Sequence, residues 1–173
     1  MRKGILAIWA SLMSTLSALN GEATRTVYYR TIAGWIRDHE SDIPGEVWES
    51  YGLATLADLC VDEHAIEFSE QEVSADIARL REFEPKSMDN IAMLLRDRLW
   101  NMAAFKTDRD CPSCGDDELR VLFDQDSVPP RHVLACDTCG WAQWPDGRKW
   151  TGRPTVRPAT LRELEEGGFQ VPS

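Results

Sequence analysis

The sequence predicts a mainly α fold. An N-terminal acidic helical domain of five to six helices is expected over residues 1–107. A small antiparallel β ribbon follows over 108–147, then a basic arm and a short C-terminal helix over 148–173. Three observations carry this expectation. Apolar residues recur at three- and four-residue spacing through the first hundred positions. Apolar and polar residues alternate in the segment Glu118–Asp124, the period of a strand. Two Cys-x-x-Cys-Gly segments, at Cys111–Gly115 and Cys136–Gly140, bracket that strand.

The helices follow in order. Ile5, Ile8, Trp9, Leu12, Leu16 and Leu19 fall on one face of a first helix over 4–19, which stops near Asn20-Gly21. A second helix, over 23–38, buries Val27, Tyr28, Ile32, Trp35 and Ile36. After Pro44-Gly45, Glu46 to Tyr51 and Leu53 to Cys60 read as two short helices or as one interrupted at Gly52. Cys60, at the end of an apolar stretch, is expected to be a small buried hydrophobe. Ser69 and Glu72 have the spacing of a capping box, which opens a helix reaching Phe83 before Pro85 stops it. Ser87 caps a last helix over 88–105, with Ile91, Leu94, Leu95, Leu99, Met102 and Phe105 inward. Trp9, Trp35, Trp48 and Trp100 belong to this core, and residues 106–110 serve as a linker.

The cysteines carry the chemistry. A Cys-x-x-Cys step brings two sulfurs from one tight turn to within about 2.3 Å of a single zinc ion. Gly115 and Gly140 supply the positive φ that such a turn needs, and Pro112 stiffens the first turn. The 21 residues between Cys114 and Cys136 accommodate a hairpin: a strand over Glu118–Asp124, a turn with Pro129-Pro130, and a returning strand from His132. The segment after Gly140 can add a third strand. One structural Zn2+ held by Cys111, Cys114, Cys136 and Cys139 is expected. Two disulfides, or a catalytic zinc with an open position, are the alternatives. Four thiolates leave no position for water, and doubled knuckles favour metal.

Charge is the second signal. The chain has 173 residues and a net charge of −10. Between Asp38 and Asp76 there are twelve acids and no lysine or arginine. Such a stretch reads either as a solvated surface or as an electronegative face for a basic protein partner, with Glu63, Glu67 and Glu70 as the candidate contacts. Arg148, Lys149, Trp150, Arg153 and Arg157 form the basic arm. They are placed either to touch phosphate or to dock the arm on the chain's own acids. Residues 108–147 carry nine acids against three arginines, which weighs against strong nucleic-acid binding.

Nothing in the sequence has the spacing of a phosphate loop, a metalloprotease helix or a nucleophile elbow. His39 is expected at a helix C-terminus, and His64 and His132 lack partners at catalytic spacing. The first 23 residues resemble a signal peptide in their basic start and apolar run, but the one-sided periodicity favours an amphipathic helix. With thiolate metal ligands, this points to a cytoplasmic protein without a membrane span.

The two knuckles resemble those of the C4 zinc-ribbon superfamily, with rubredoxin-like turns over residues 111–144. More loosely, a helix leading into this pattern is similar to small zinc-ribbon proteins of actinobacterial phages and mobile elements. Several of those continue into a DNA-binding helix-turn-helix, for which no length follows the ribbon in this sequence. The expected function is that of a non-enzymatic, zinc-stabilised interaction protein or adaptor. A nucleic-acid-binding regulator and an oligomerising assembly component are the rivals.

Overall fold

The computed structural model describes residues 2–19, 23–69, 72–151 and 156–171. Among these, the order is α1 (Arg2–Ser17), α2 (Arg25–Asp38), α3 (Gly45–Ser50), α4 (Leu53–Ala57), α5 (Val73–Glu82), α6 (Met88–Ala103), β1 (Lys106–Asp110), β2 (Glu118–Asp124), β3 (Arg131–Ala135), β4 (Ala142–Gln143), β5 (Val156–Pro158) and α7 (Leu161–Glu166). Short 3-10 turns lie at Glu40–Asp42, Val61–Glu63 and Ala65–Phe68. The mainly α expectation is therefore corrected. The chain combines helices with a five-stranded antiparallel sheet, a larger β element than a small ribbon. Two strands were hidden in the sequence: β1 lies in the expected linker, and β5 in the expected arm. Neither shows apolar alternation, because pairing with β2, not a buried face of their own, makes them strands.

The chain divides into two compact units. The first comprises Met1–Val61 and Glu70–Met102, the second Asp62–Ser69 and Ala103–Ser173.

In the first unit, Leu12, Leu16, Tyr28, Tyr29, Ile32, Ile36, Leu53, Leu80, Ile91, Leu95 and Leu99 are fully buried. Burial on this scale, at about 25 cal/mol per Å2 of apolar surface, is what orders the helices. Thr24 caps α2 by accepting from the Val27 N–H, and Ser87 accepts from the Asn90 N–H at the start of α6. The helix expected to open at Ser69 starts later, and Glu70 and Gln71 of the expected capping box lie outside the described residues. Ser69 ends a 3-10 turn, and α5 starts at Val73 after Glu72, which makes no side-chain cap. The α4 helix ends at Ala57, and Cys60, beyond it, is exposed rather than buried.

One polar network is built into this core. Tyr28 donates its hydroxyl to Asp76 at 2.5 Å, and Arg98 meets the other carboxylate oxygen at 3.2 Å. Asp76 is 2% exposed. Burial, reinforced by the Asp76 charge, pushes the Tyr28 hydroxyl far above the usual tyrosine range, so it stays a donor.

In the second unit the sheet order is β1-β2-β3-β4, and β5 pairs with β2 as well. β1 partners the start of β2 (Asp110 with Glu118, Lys106 with Arg120), while β5 partners its end (Leu122 with Pro158, Asp124 with Val156). The core beneath contains Ala65, Cys111, Leu119, Val121, Leu134, Cys136, Ala159 and Leu164. The returning strand and the third strand expected after the second knuckle are present as β3 and β4.

Candidate metal centre

The pairing of β2 with β3, running from Arg120–Ala135 to Asp124–Arg131, sets the register of the site. The start of β2 and the end of β3 lie together, so the turn before β2 and the turn after β3 emerge at one end of the sheet. The first turn carries Cys111 and Cys114, the second Cys136 and Cys139. The two are built alike. The Cys111 N–H donates to the Asp117 carbonyl at 2.8 Å, and the Cys136 N–H to the Trp141 carbonyl at 2.8 Å. Gly115 and Gly140 then donate back to the carbonyls of Cys111 and Cys136, at 2.8 and 3.0 Å. Both glycines have φ of 70°, a conformation that a side chain disfavours.

The four sulfurs converge. All lie within 4.8 Å of one another, with Cys111 to Cys139 at 3.6 Å and Cys114 to Cys136 at 3.7 Å. A tetrahedron with metal–sulfur bonds of about 2.3 Å has edges of roughly 3.8 Å. The spacing fits that edge and is far beyond the ~2.05 Å of a disulfide. All five cysteines are free of disulfides. The donor set therefore fits a metal ion. The Ser113 N–H also points at Cys111 Sγ, at 3.4 Å, as a donor to a thiolate does.

Electrostatics favour a cation in this cage. Burial raises the Cys111 thiol, but the N–H groups of Cys114 and Ser113 and the adjoining thiols outweigh it and bring it down to about 7. At Cys114 the Asp116 N–H pulls downward, yet burial and the three other thiols push it up to about 12. Cys111 thus gives up its proton readily, while Cys114 and Cys136 resist adding like charge until a cation neutralises it.

Two charged residues of β2 that are not among the candidate residues are buried in the sheet, and the first of them supports the second knuckle. Arg120 is only 6% exposed; it donates to the Ala104 carbonyl at 2.9 Å and pairs with Asp137 between the ligands of the second knuckle. Asp124 is 5% exposed and accepts from the Asp126 and Ser127 N–H groups and, at 3.0 Å, from Trp150 Nε1. Both lie on the face of β2 that alternates with Leu119, Val121 and Phe123. The usable signal was Leu122, an apolar residue between the two charged ones on the same face.

The other candidate residues are placed as follows. Glu63 and Glu67 are exposed in the 3-10 turns of the second unit. Glu70 and Arg153 lie outside the described residues. Arg148 pairs with Asp146 at 2.7 Å, and Lys149 bridges its backbone to Gln143. Trp150 is half-buried, as are Trp141 and Trp144, the last lying 4.3 Å beneath the Arg131 guanidinium. Arg157 holds Glu163 through two bonds, at 2.8 and 2.6 Å, and covers Phe123. Glu163 also accepts from the Thr160 N–H in a capping box that starts α7. Burial acts to raise the Glu163 carboxyl, but Arg157 and the Thr160 N–H prevail and hold it below the usual glutamate range.

Arg157→Ala is therefore expected to lower stability at pH 7 by about 1–2 kcal/mol, as for a partly buried, charge-assisted pair. A folded carboxyl that is depressed stabilises above its unfolded pKa of about 4.3 and loses this as pH falls through the folded value. Urea melts of the two proteins should accordingly differ at pH 7 and converge as pH drops below about 4.

His39 caps the C-terminus of α2 and meets Ser11 Oγ at 2.8 Å, with Asp42 3.8 Å from its other nitrogen. Trp35 Nε1 donates to the same hydroxyl at 3.3 Å. The order of residues resembles a nucleophilic triad. However, the imidazole–carboxylate distance exceeds a hydrogen bond, and Ser11 lies inside α1, where its own N–H serves the helix. The cluster is a polar pin between α1 and α2.

No known protein family, curated protein or solved structure matches the chain. What defines it is the site: a four-cysteine cluster positioned to hold a metal ion, consistent with a zinc-ribbon-like motif. No helix among the described residues is long and apolar enough to cross a membrane.

Proposed function

We propose that the chain is a non-enzymatic adaptor whose second unit is held closed by one structural Zn2+. The observation that carries this is the convergence of Cys111, Cys114, Cys136 and Cys139 at the edge length of a zinc–thiolate tetrahedron. Four thiolates fill the coordination sphere and leave no position at which water or substrate could be activated. The metal supplies folding free energy and fixes two turns.

The partner is proposed to be a protein with a basic contact surface. Of the twelve acids between Asp38 and Asp76, ten are exposed: Asp38, Glu40, Asp42, Glu46, Glu49, Asp58, Asp62, Glu63, Glu67 and Glu72. Of the other two, Glu70 lies outside the described residues and Asp76 is spent on the buried network. Two of the four cations that a phosphate-binding arm would use are paired within the chain, Arg157 with Glu163 and Arg148 with Asp146. This supports the protein-partner reading over the nucleic-acid one.

The test is kinetic. A partner recovered by cross-linking in the native cells should associate at a rate that falls steeply with salt. The double reversal Glu63→Lys, Glu67→Lys should slow that association about tenfold at low salt and leave the melting temperature unchanged. An on-rate indifferent to the reversal, or a recovered partner that is DNA or RNA, contradicts the proposal.

A further inference from the structure

The four sulfurs differ in access. Cys111 and Cys136 are buried, Cys114 is half-buried and Cys139 is exposed. Around Cys139, Asp137, Thr138 and Gly140 are exposed as well. The exposed sulfur lies 3.6 Å from Cys111, across the two knuckles, and the remaining pair, Cys114 and Cys136, is 3.7 Å apart. Each close pair thus joins the turn after β1 to the turn after β3, the same two turns that a metal would bridge.

We propose that the centre is a redox-sensitive clasp, in which hydrogen peroxide converts the four thiolates into two disulfides, Cys111–Cys139 and Cys114–Cys136, and expels the metal. The proposal rests on the zinc reading above. The Cys139 thiolate is the one a peroxide reaches from solvent. Its sulfur attacks one peroxide oxygen, the O–O bond breaks, hydroxide leaves and Cys139 becomes a sulfenic acid. The Cys111 thiolate then attacks the Cys139 sulfur, the S–O bond breaks and a second hydroxide leaves. Two thiolates have lost two electrons and one peroxide has gained them. With two of four ligands gone the zinc is released, and a second peroxide closes Cys114–Cys136 by the same steps. Because both bonds link the turns that the metal linked, the oxidised chain stays closed at that end without metal.

Zinc-loaded full-length chain titrated with hydrogen peroxide tests this, with zinc release read by a chromogenic chelator and cross-links by mass spectrometry of non-reduced tryptic digests of the monomer. Cleavage after Arg109, Arg120, Arg131 and Arg148 places Cys111 and Cys114 in peptide 110–120, and Cys136 and Cys139 in peptide 132–148. The expected result is zinc released with the first peroxide, about two peroxides consumed per chain in all, and the two peptides covalently joined. Reductant with added zinc should reverse both. Cys60→Ser should respond as the parent does, since Cys60 is outside the cluster. Two separately looped peptides, or zinc retained at a hundredfold excess of peroxide, overturns the proposal. The zinc content before oxidation tests the zinc reading by itself; a preparation found without metal should still yield the joined peptides, and looped ones would again overturn the pairing.

Discussion

Replacing Cys136 with serine is expected to strip the metal from the second unit and unfold it, leaving the helices of the first unit in place. The effect should be large because metal binding in small zinc modules contributes on the order of 10 kcal/mol or more. A serine hydroxyl stays protonated near neutral pH and does not replace a thiolate. Cys136 is also part of the core, packed with Leu119, Val121 and Leu134 at 2% exposure, so the change removes a ligand and a buried sulfur together. The first unit keeps its own fully buried residues, among them Leu12, Tyr28, Ile32, Leu95 and Leu99. Hydrogen exchange resolved by peptide should show protection lost across β2 and β3 and retained across α2 and α6. Retained protection in β2 and β3 would show that the sheet holds without its metal.

Asp76→Ala is expected to be the most damaging single change in the first unit. The carboxylate is the shared partner of Tyr28 at 2.5 Å and Arg98 at 3.2 Å. Truncating it leaves a buried hydroxyl and a guanidinium, itself only 22% exposed, without their acceptor. Breaking such a pair costs about 3–5 kcal/mol, most of it the desolvation of the groups left behind. Asp76→Asn, which keeps an acceptor for Tyr28 but not the charge, should cost less. Urea unfolding at pH 7 distinguishes these outcomes. A midpoint shift for Asp76→Ala no larger than that of a surface substitution would mean that the network contributes nothing net.

The metal cage was legible in the sequence because its determinants are local. Two cysteines per turn, a glycine at the position that needs positive φ, and a hairpin-length insertion are all short-range facts. The long helices before the sheet were legible through their apolar periodicity, the two short ones through Pro44-Gly45 and Gly52, which left open whether they were one helix or two, and the start of α6 through Ser87. What failed depends on distant partners. Lys106–Asp110 is polar throughout, and Val156–Pro158 sits among prolines, so nothing in either announces a strand. They are strands because β2 has an edge to offer at each of its ends. The fold class was misjudged for this reason. Alternation in β2 announced a strand but not its burial: Arg120, Leu122 and Asp124 are all buried, and the two charged residues there bond to groups far along the chain. Asp76 illustrates the same limit. Within a run of acids it looked like one more surface charge, and only the approach of Tyr28 and Arg98 distinguishes it.

The measurement that bears most directly on the central claim is X-ray absorption at the zinc edge of protein purified under reducing conditions. The account predicts one zinc per chain in a shell of four sulfurs at about 2.3 Å, with no nitrogen or oxygen neighbour. A shell containing a light-atom ligand, or protein that carries no metal at that edge, would contradict it.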